Sequence, residues 1–438
     1  MARNDRTGIQ PQSRLTASNL DESQLIQETR GKSEARQSKA LTVSIKVGIN
    51  CLQIDPSYVG GVTTYVLGLL EGFANLDYGG RFRLFVTEAN QQVFQKFAKC
   101  PSFDVITVHD RLFSLKSNVC RAALIPHSSS FFKFVSDLAF RDIQELMDSE
   151  SDVLYTPTPV LRYFNGRTPT VLTMHDIQHL HYPEFFGRMR LLSRRITYDL
   201  SARYAGYFQA NSKYTKEDFL SHFCWLSEDR VEIIPPGVKI EQFATPTDTN
   251  FLHQVYGIPD RFLFYPAQLW PHKNHLTILM ALKQIEAQCG LKIPLVLTGA
   301  KYAAAAQVIA FIEDQAMDYV HYLGTVPAGH MVSLYQKATF LIMATLHESG
   351  GFPILESAAA GTPIIASRIP PFEEFGEILQ LNLFNPLDTR ELARLIASLW
   401  NDERTAAAQS AYNRERITLY SWENAAKKFV RLFARAVN

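Results

Sequence analysis

The sequence predicts an α/β protein in which two doubly wound parallel-sheet domains follow one another and face a central cleft. Short, almost continuously apolar runs alternate with stretches whose apolar residues recur at helical spacing, a pattern typical of parallel strands covered by helices. The alternation pauses at a Pro-Pro-Gly-Val segment and the polar stretch 245–250, and then restarts. A chain of 438 residues has room for two or three domains of about 100–200 residues each.

The first half is expected to form an N-terminal domain over 43–240, which opens with a strand, a Gly60-Gly61 loop and a helix over 63–76. Its predicted strands are 43–52, 81–87, 152–157, 168–176, 205–212 and 230–238. The second half is expected to form a C-terminal domain over 245–415, with strands at 262–268, 293–299, 321–326, 338–344 and 362–367. Its helices are predicted at 275–289, 303–317, 330–338, 353–361 and 388–402, and the chain closes with a helix at 422–437.

Composition narrows the class of protein. Residues 1–42 mix Arg, Ser, Gln and Glu and contain almost no aromatic or β-branched clusters, which predicts a disordered tail. The 44 Lys and Arg residues nearly balance the 43 Asp and Glu residues, so no global field favours nucleic acid. The 5 widely spaced cysteines form no C-x-x-C pair, and no apolar run reaches about 18 residues. With no apolar signal-peptide core at the N-terminus, a cytoplasmic protein is expected.

The most informative segment is FLIMATLHESGGFPILESAAAGTPIIAS, residues 340–367. A strand ends in a loop that contains Glu348 and two glycines, and a helix containing Glu356 follows until Gly361 ends it. Ligands of open parallel sheets bind beyond the carboxyl ends of the strands, and such a loop lets the backbone approach them closely. Two glutamates at this spacing carry little information alone; the order of strand, glycine loop, helix and Gly-Thr-Pro makes the segment specific.

This segment resembles the signature of retaining nucleotide-sugar glycosyltransferases of family four (group 1), which have the GT-B fold of two Rossmann-like domains. ESGGFPILE keeps the two glutamates, Gly351, Phe352 and Pro353, whereas Ser349 and Gly350 replace the usual Gly and Phe. The resemblance extends over nearly all of residues 44–430. It implies that the C-terminal domain binds the nucleotide sugar, that the N-terminal domain binds the acceptor, and that the last helix, within 416–438, crosses back to the N-terminal domain.

A candidate phosphate site precedes the helix at 275–289. In AQLWPHKNHLTI, Asn274 is a suitable N-cap, and Lys273 lies beside the positive end of the helix, so the two predict an anion site suited to a diphosphate. His272 is either an additional contact or an exposed residue. Many family members have Arg where this chain has Gln268.

The resemblance assigns further roles. Glu348 is expected to hold the hydroxyls of the donor sugar and Glu356 those of the ribose, while His175 orients the sugar or the acceptor. A structural role for His175, with Asp176 capping the next segment of the chain, is the alternative. The expected catalytic residues are thus His175, Lys273 and Glu348. The expected donor-binding residues are Gly60, Gly61, Gln268, His272, Lys273, Gly324, Val326, Ser349, Gly350, Gly351, Phe352 and Glu356.

No metal or other cofactor is expected. His179 and His181 lie near His175, but no neighbouring carboxylate or Cys cluster completes a metal shell in the sequence. Neither an Asp-x-Asp motif nor a Walker or G-x-S-x-G sequence is present.

These observations predict a retaining, metal-independent hexosyltransferase that uses a nucleoside-diphosphate sugar and a glycan or lipid-linked glycan acceptor. GDP-mannose is slightly preferred as the donor, from its frequency in the family. A nucleotide-sugar 2-epimerase and a catalytically silent nucleotide-sugar-binding protein are the alternatives. The basic and aromatic stretch 111–141 is either a surface that docks peripherally on a membrane or a set of ordinary helices with buried Phe side chains.

Overall fold

A computed structural model describes residues 44–55, 60–109 and 113–438, and the predicted tail lies outside these residues. Within them, two sheets form with parallel pairings throughout, one of seven strands and one of six. The first contains β1 (Lys46–Asn50), β2 (Arg81–Thr87), β3 (Phe103–Val108), β4 (Val153–Thr156), β5 (Thr170–Met174), β6 (Tyr207–Ala210) and β7 (Val231–Ile233). The second contains β8 (Leu263–Pro266), β9 (Leu295–Thr298), β10 (Val320–Tyr322), β11 (Phe340–Met343), β12 (Ile364–Ser367) and β13 (Asn382–Phe384). The predicted fold class is confirmed.

Helices fill the connections between strands. In the first half they are Gly61–Ala74, Gln91–Phe94, Phe113–Ala122, Ser129–Ala139, Arg141–Glu150, Gln178–His181, Arg188–Tyr204 and Lys213–His222. In the second half they are Ile240–Ala244, Phe251–Tyr256, His275–Cys289, Ala305–Asp314, Ala328–Lys337, Phe352–Ala360, Pro370–Gly376, Thr389–Leu399, Glu403–Arg416 and Trp422–Val437. In the chain segments that the structure describes, none of these helices combines the length and apolar character needed to traverse a bilayer.

Several strand predictions differ from the structure. The strand expected at 230–238 is only Val231–Ile233, and β13 has no counterpart among the predicted strands. Sequence inspection missed β3, an edge strand whose four central residues are only partly buried, so its apolar pattern is weak. The strand expected at 321–326 is instead Val320–Tyr322. Gly324 ends it because its φ of 67° places the backbone in the left-handed region, which interrupts an extended strand.

The strand order determines where the loops of the expected ligand site lie. The orders are β3-β2-β1-β4-β5-β6-β7 and β10-β9-β8-β11-β12-β13, so the direction of winding reverses between β1 and β4 and between β8 and β11. At such a switch point the connections leave in opposite directions and open a crevice at the carboxyl ends of the strands. The Gly60-Gly61 loop follows β1, the Lys273 loop follows β8, and the Glu348 loop follows β11.

The last helix returns to the first domain. Trp422–Val437 packs along Gly61–Ala74, with the Trp422 ring against Gly68 and Phe433 near Phe73. Its buried apolar side chains belong to the same core as β1, β2 and β4. The N-terminal domain is therefore completed by residues from the far end of the chain.

Candidate functional site

Lys273 and Glu348 form a partly buried ion pair at the switch point of the second sheet. Their Nζ and Oε2 atoms are 2.6 Å apart, and the side chains are only 18% and 19% exposed. Burial alone would raise the pKa of Glu348, but the charge of Lys273 and the hydrogen bond that it donates outweigh burial, so this pKa is lowered. Glu348 therefore stays ionised, and one cation and one anion project together into the crevice.

Asn274 holds this arrangement by a different means from the one expected. It occupies the N-cap position with φ of 55°, but its side chain accepts no backbone N–H bond from the helix. Instead, its amide donates to the carbonyls of Ala344 (3.0 Å) and Pro386 (2.9 Å). The N-cap prediction is wrong in this respect: the side chain ties the Lys273 loop to the end of β11, and Asn tolerates the left-handed backbone that this requires.

His272 contributes to the same junction through its backbone. Its carbonyl accepts hydrogen bonds from the backbone N–H of Leu346 (2.8 Å) and from the Thr345 hydroxyl (3.1 Å). Burial, assisted by the charge of Lys273, lowers the pKa of the His272 imidazole to about 3. The ring is therefore neutral at neutral pH, and the cationic charge of this loop is carried by Lys273.

The two glycines after Glu348 allow a tight turn into the helix Phe352–Ala360. Gly351 has φ of 55°, and a Cβ atom there would lie 2.6 Å from the Phe375 ring, so both the backbone and the space require glycine. Gly350 faces the first domain, where a Cβ atom added to it would lie 3.6 Å from the amide nitrogen of Asn211. Across the crevice, Gly61 approaches the Phe352 ring. The glycine loops of the two domains thus face each other.

Ser349, which departs from the family pattern, connects the domains by hydrogen bonds. Its hydroxyl donates to the backbone carbonyl of His175 and accepts from the Asn211 amide at 2.9 Å. The Tyr182 hydroxyl makes a further bond across the crevice, donating to the Leu346 carbonyl at 3.4 Å. Sequence inspection missed Asn211 and Tyr182. The position of Asn211 directly after β6 is the sequence signal that could have identified it.

His175 follows β5, and its ring contacts Pro157 and Tyr65 of its own domain. Nε2 lies 3.1 Å from the carbonyl oxygen of Pro157, and because a carbonyl only accepts, Nε2 carries the proton and Nδ1 the lone pair. The ring meets the Tyr65 ring edge-on at 5.2 Å, and burial lowers the pKa of His175. The neighbouring Asp176 accepts from the Gln178 N–H at 3.0 Å, and it lies one residue before Ile177, which is the N-cap of the helix Gln178–His181.

Glu356 lies on the helix that follows the glycine loop. The Tyr335 hydroxyl donates to its Oε2 at 2.6 Å. Burial raises the pKa of Glu356 to about 7, and the bond from Tyr335 opposes this shift only in part. Unlike Glu348, this carboxyl changes its protonation state near neutral pH.

A cavity of about 330 Å³ opens beyond the ends of β8, β9 and β10. Gln268 and Val326 line it together with Ala267, Tyr302 and Met331. Gln268 Oε1 accepts from the Trp270 ring N–H at 3.0 Å, and the Gly324 carbonyl accepts from the Gly299 N–H at 2.8 Å. This second group of expected donor residues thus surrounds a largely apolar space separate from the Lys273–Glu348 pair.

The structure brings a carboxylate to His181, one of the histidines after β5 for which the sequence shows no complete metal shell. The His181 Nε2 lies 2.8 Å from both carboxylate oxygens of Asp218, and Nδ1 of His222 lies 3.5 Å from the same carboxylate. His179 is separate from this group, because it is buried with its ring 4.7 Å from that of Tyr198.

Sequence and structure comparisons agree with this geometry. The family model "Glycosyltransferase Family 4" matches residues 59–242, and the family model "Glycosyl transferases group 1" matches residues 248–416. The two matches together span most of the chain, which therefore belongs to the family 4 (group 1) glycosyltransferases.

Curated relatives match more locally. D-inositol 3-phosphate glycosyltransferase of Corynebacterium urealyticum is 27% identical over 47% of this chain and 51% of its own length. O-antigen chain mannosyltransferase RfbU of Salmonella typhimurium is 26% identical over 46% and 53%, respectively. The chain spans about half the length of these relatives.

Solved structures match nearly the whole chain. HepE of Anabaena, solved with UDP and glucose, has a TM-score of 0.66 at 18% identity and covers 89% of this chain and 100% of its own. WaaG, a glycosyltransferase involved in lipopolysaccharide biosynthesis, has a TM-score of 0.62 at 15% identity and covers 88% and 99%. At these identities the likeness concerns the fold, and these neighbours have the GT-B fold.

Proposed function

We propose that this protein is a retaining glycosyltransferase that moves a sugar from a nucleoside-diphosphate donor to a hydroxyl of a glycan or lipid-linked glycan. The observation that carries the proposal is the Lys273–Glu348 pair, partly buried at the switch point of the second sheet. A cation, a carboxylate and the free N–H groups of a helix N-terminus at one place suit a diphosphate linked to a sugar.

The donor is proposed to extend from this pair into the second domain. The 330 Å³ cavity beside Gln268 and Val326 takes the base, Glu356 accepts from the ribose hydroxyls, and Lys273 contacts the diphosphate. The HepE complex with UDP and glucose supports a nucleotide-sugar donor. Two mannosyltransferases among the relatives, RfbU of Salmonella typhimurium and WbdA of Escherichia coli, support mannose as the sugar. We therefore propose GDP-mannose as the first donor to test.

In this mechanism, cleavage of the bond between the anomeric carbon and the diphosphate places growing negative charge on the leaving oxygen. Lys273 and the N-terminus of Phe352–Ala360 stabilise that charge electrostatically. The leaving phosphate takes the proton of the acceptor hydroxyl on the same face of the sugar, so retention needs no separate strong base. Glu348, kept ionised by Lys273, accepts from the sugar hydroxyls, and the unprotonated Nδ1 of His175 orients the sugar or acceptor.

The acceptor is proposed to enter from the N-terminal domain. A cavity of about 840 Å³ lies at the carboxyl ends of β1, β2 and β3, with Glu88, Asn90, Arg121 and Arg162 in its wall. These groups offer donors and acceptors for hydroxyl-rich or anionic glycans.

A peripheral membrane contact is proposed beside this cavity. In the stretch predicted as basic and aromatic, Phe132 and Phe140 are buried, but other apolar side chains on the same helices are exposed. The exposed ones are Leu115, Val119, Phe131, Phe134 and Leu138. Phe134→Asp is expected to reduce co-sedimentation of the protein with anionic vesicles. The control is Val255→Asp, at an exposed apolar residue of the other domain, which should leave co-sedimentation unchanged. Equal effects of the two substitutions would contradict the membrane contact.

One experiment separates the three candidate activities. The protein is incubated with a panel of nucleotide sugars, each with and without glycan acceptors, and both nucleotide release and sugar products are measured. Acceptor-dependent nucleotide release with a new glycosidic product supports the transferase. Acceptor-independent release of nucleotide and an epimerised sugar indicates the 2-epimerase, and donor binding without turnover indicates a silent binding protein.

A further inference from the structure

Three potential metal ligands converge on the first domain beside the crevice. His181 ends the helix Gln178–His181, while Asp218 and His222 are four residues apart on Lys213–His222 and so lie on one face of that helix. His181 Nε2 is 2.8 Å from Asp218, and His222 Nδ1 is 3.5 Å from the same carboxylate and 3.0 Å from the backbone carbonyl oxygen of Asp218, so an ion bound at Nδ1 replaces that carbonyl contact. The three ligand atoms lie within 4.8 Å of one another. We call these residues the junction cluster.

The carboxylate of the cluster is not an ordinary surface charge. The Asp218 side chain is only 10% exposed, whereas those of His181 and His222 are 31% and 35% exposed. A nearly buried carboxylate needs compensation by a cation or by hydrogen bonds. Two imidazoles whose solvent-facing edges remain accessible leave an entry path for an ion.

A histidine of the second domain lies beside the cluster, although its ring nitrogens are not among the three ligand atoms that lie within 4.8 Å of one another. The ring centroids of His347 and His181 are 5.9 Å apart, and His347 is 8% exposed. Among the described residues, Nε2 of His347 has no hydrogen-bond partner. An unpaired buried nitrogen costs roughly 1–3 kcal/mol, which a bound ligand would recover. This histidine is an observation independent of the cluster, because it is contributed by a different loop and a different domain.

We propose that the junction cluster binds one transition-metal ion of the zinc class, with His347 completing a set of three imidazoles and one carboxylate. Imidazole nitrogen with a single carboxylate suits Zn²⁺, whereas Mg²⁺ and Ca²⁺ prefer shells of oxygen ligands. Four protein ligands fill a tetrahedral shell, so the ion is structural and is separate from the transfer chemistry.

The position of the site gives the ion a defined effect. Three ligands belong to the first domain, and His347 directly precedes Glu348 in the second. A bound ion therefore links the domains next to the loop proposed to hold the donor. The ion opposes opening of the crevice on this side and raises the melting temperature of the full-length protein. The inference rests on the geometry of the two domains and not on the proposed function.

The test uses the full-length protein, freed of metal with a chelator and then titrated with ZnCl₂ by calorimetry. One ion per chain is expected to bind, and Co²⁺ is expected to give the intense visible absorption of a tetrahedral site. His181→Ala and His222→Ala should each weaken zinc binding roughly 10-fold or more. The matched control is His109→Ala, which removes an exposed histidine that also pairs with a carboxylate, Glu88, but has no place in the cluster.

His347 is tested by its own variant. His347→Ala is expected to retain zinc with lower affinity, to change the Co²⁺ spectrum, and to lose most of the zinc-dependent rise in melting temperature. Circular dichroism of each metal-free variant verifies folding. Because His181 and His222 are exposed, their removal is not expected to disturb the packing of the core. The site is overturned if His181→Ala, His222→Ala and His109→Ala all bind zinc with the same affinity. The link between the domains is overturned if His347→Ala leaves the Co²⁺ spectrum and the zinc-dependent rise in melting temperature unchanged.

Discussion

The raised pKa of Glu356 makes a quantitative prediction about stability. Burial brings this pKa from 4.5 to about 7 in the folded protein. Between these two values the folded chain binds a proton that the unfolded chain has released, so the free energy of unfolding falls as the pH rises through this window. At about 1.4 kcal/mol per pH unit, the loss contributed by Glu356 is on the order of 3 kcal/mol between about pH 4.5 and 7.

The perturbation is Glu356→Gln, which keeps the shape of the side chain and an acceptor for the Tyr335 hydroxyl but cannot ionise. Urea unfolding of both proteins is measured at about pH 5 and about pH 8, and the difference between the two pH dependences cancels the other titrating groups. The Gln variant is expected to gain stability relative to the wild type as the pH rises. Tyr335→Phe serves as a second variant: it removes a bond that favours the ionised form, so the transition should move to higher pH. Equal pH dependence in the wild type and in Glu356→Gln would refute the reasoning.

Three further predictions concern catalysis, metal and packing. Lys273→Ala should lower kcat on the order of 100-fold, because the contact of Lys273 with the diphosphate strengthens as the bond from the sugar to the diphosphate breaks. Glu356→Ala should mainly raise the donor KM. Steady-state kinetics, with melting curves to verify folding, test both variants, and the opposite pattern would mean that the two residues have each other's roles. EDTA should leave kcat unchanged, because Lys273 and helix N–H groups meet the phosphate charge; loss of activity that Mg²⁺ or Mn²⁺ restores would contradict this. Gly72→Ala should destabilise the N-terminal domain in urea unfolding, because the added Cβ would lie within 3.0 Å of the Trp422 carbonyl. The control is Gly329→Ala, at a helical position with open space, which should raise the free energy of unfolding by roughly 0.5–1 kcal/mol. Similar effects of the two substitutions would show that the last helix does not pack against Gly72.

Most of the fold was predictable because buried parallel strands leave a strong signal. β2 has the predicted bounds, and the helices His275–Cys289 and Trp422–Val437 do as well. The edge strand β3 was missed because a strand with one open side carries fewer apolar residues. Gly324 shortened β10 through its backbone conformation, which apolar periodicity does not report.

The candidate site divides along similar lines. The order of strand, glycine loop and helix around Glu348 identified the loop from local sequence, because glycines and helix starts act over a few residues. The sequence did not indicate that Lys273, 75 residues earlier, pairs with Glu348, or that Asn274 uses its amide to hold two loops together. Such contacts depend on which strands are neighbours in the sheet, and β8 and β11 are neighbours only because the winding reverses there.

The sequence by itself determined the class of fold, the family and the local loops that approach a ligand, because each depends on residues close together in the chain. Only the tertiary structure decided the protonation of the carboxylates: Glu348 has a lowered pKa beside a cation, while Glu356, without one, has a raised pKa. It also brought Asp218 and His347 to His181 from separate elements. Burial and charge act through space, so the chemistry of these side chains depends on neighbours that the linear sequence keeps apart.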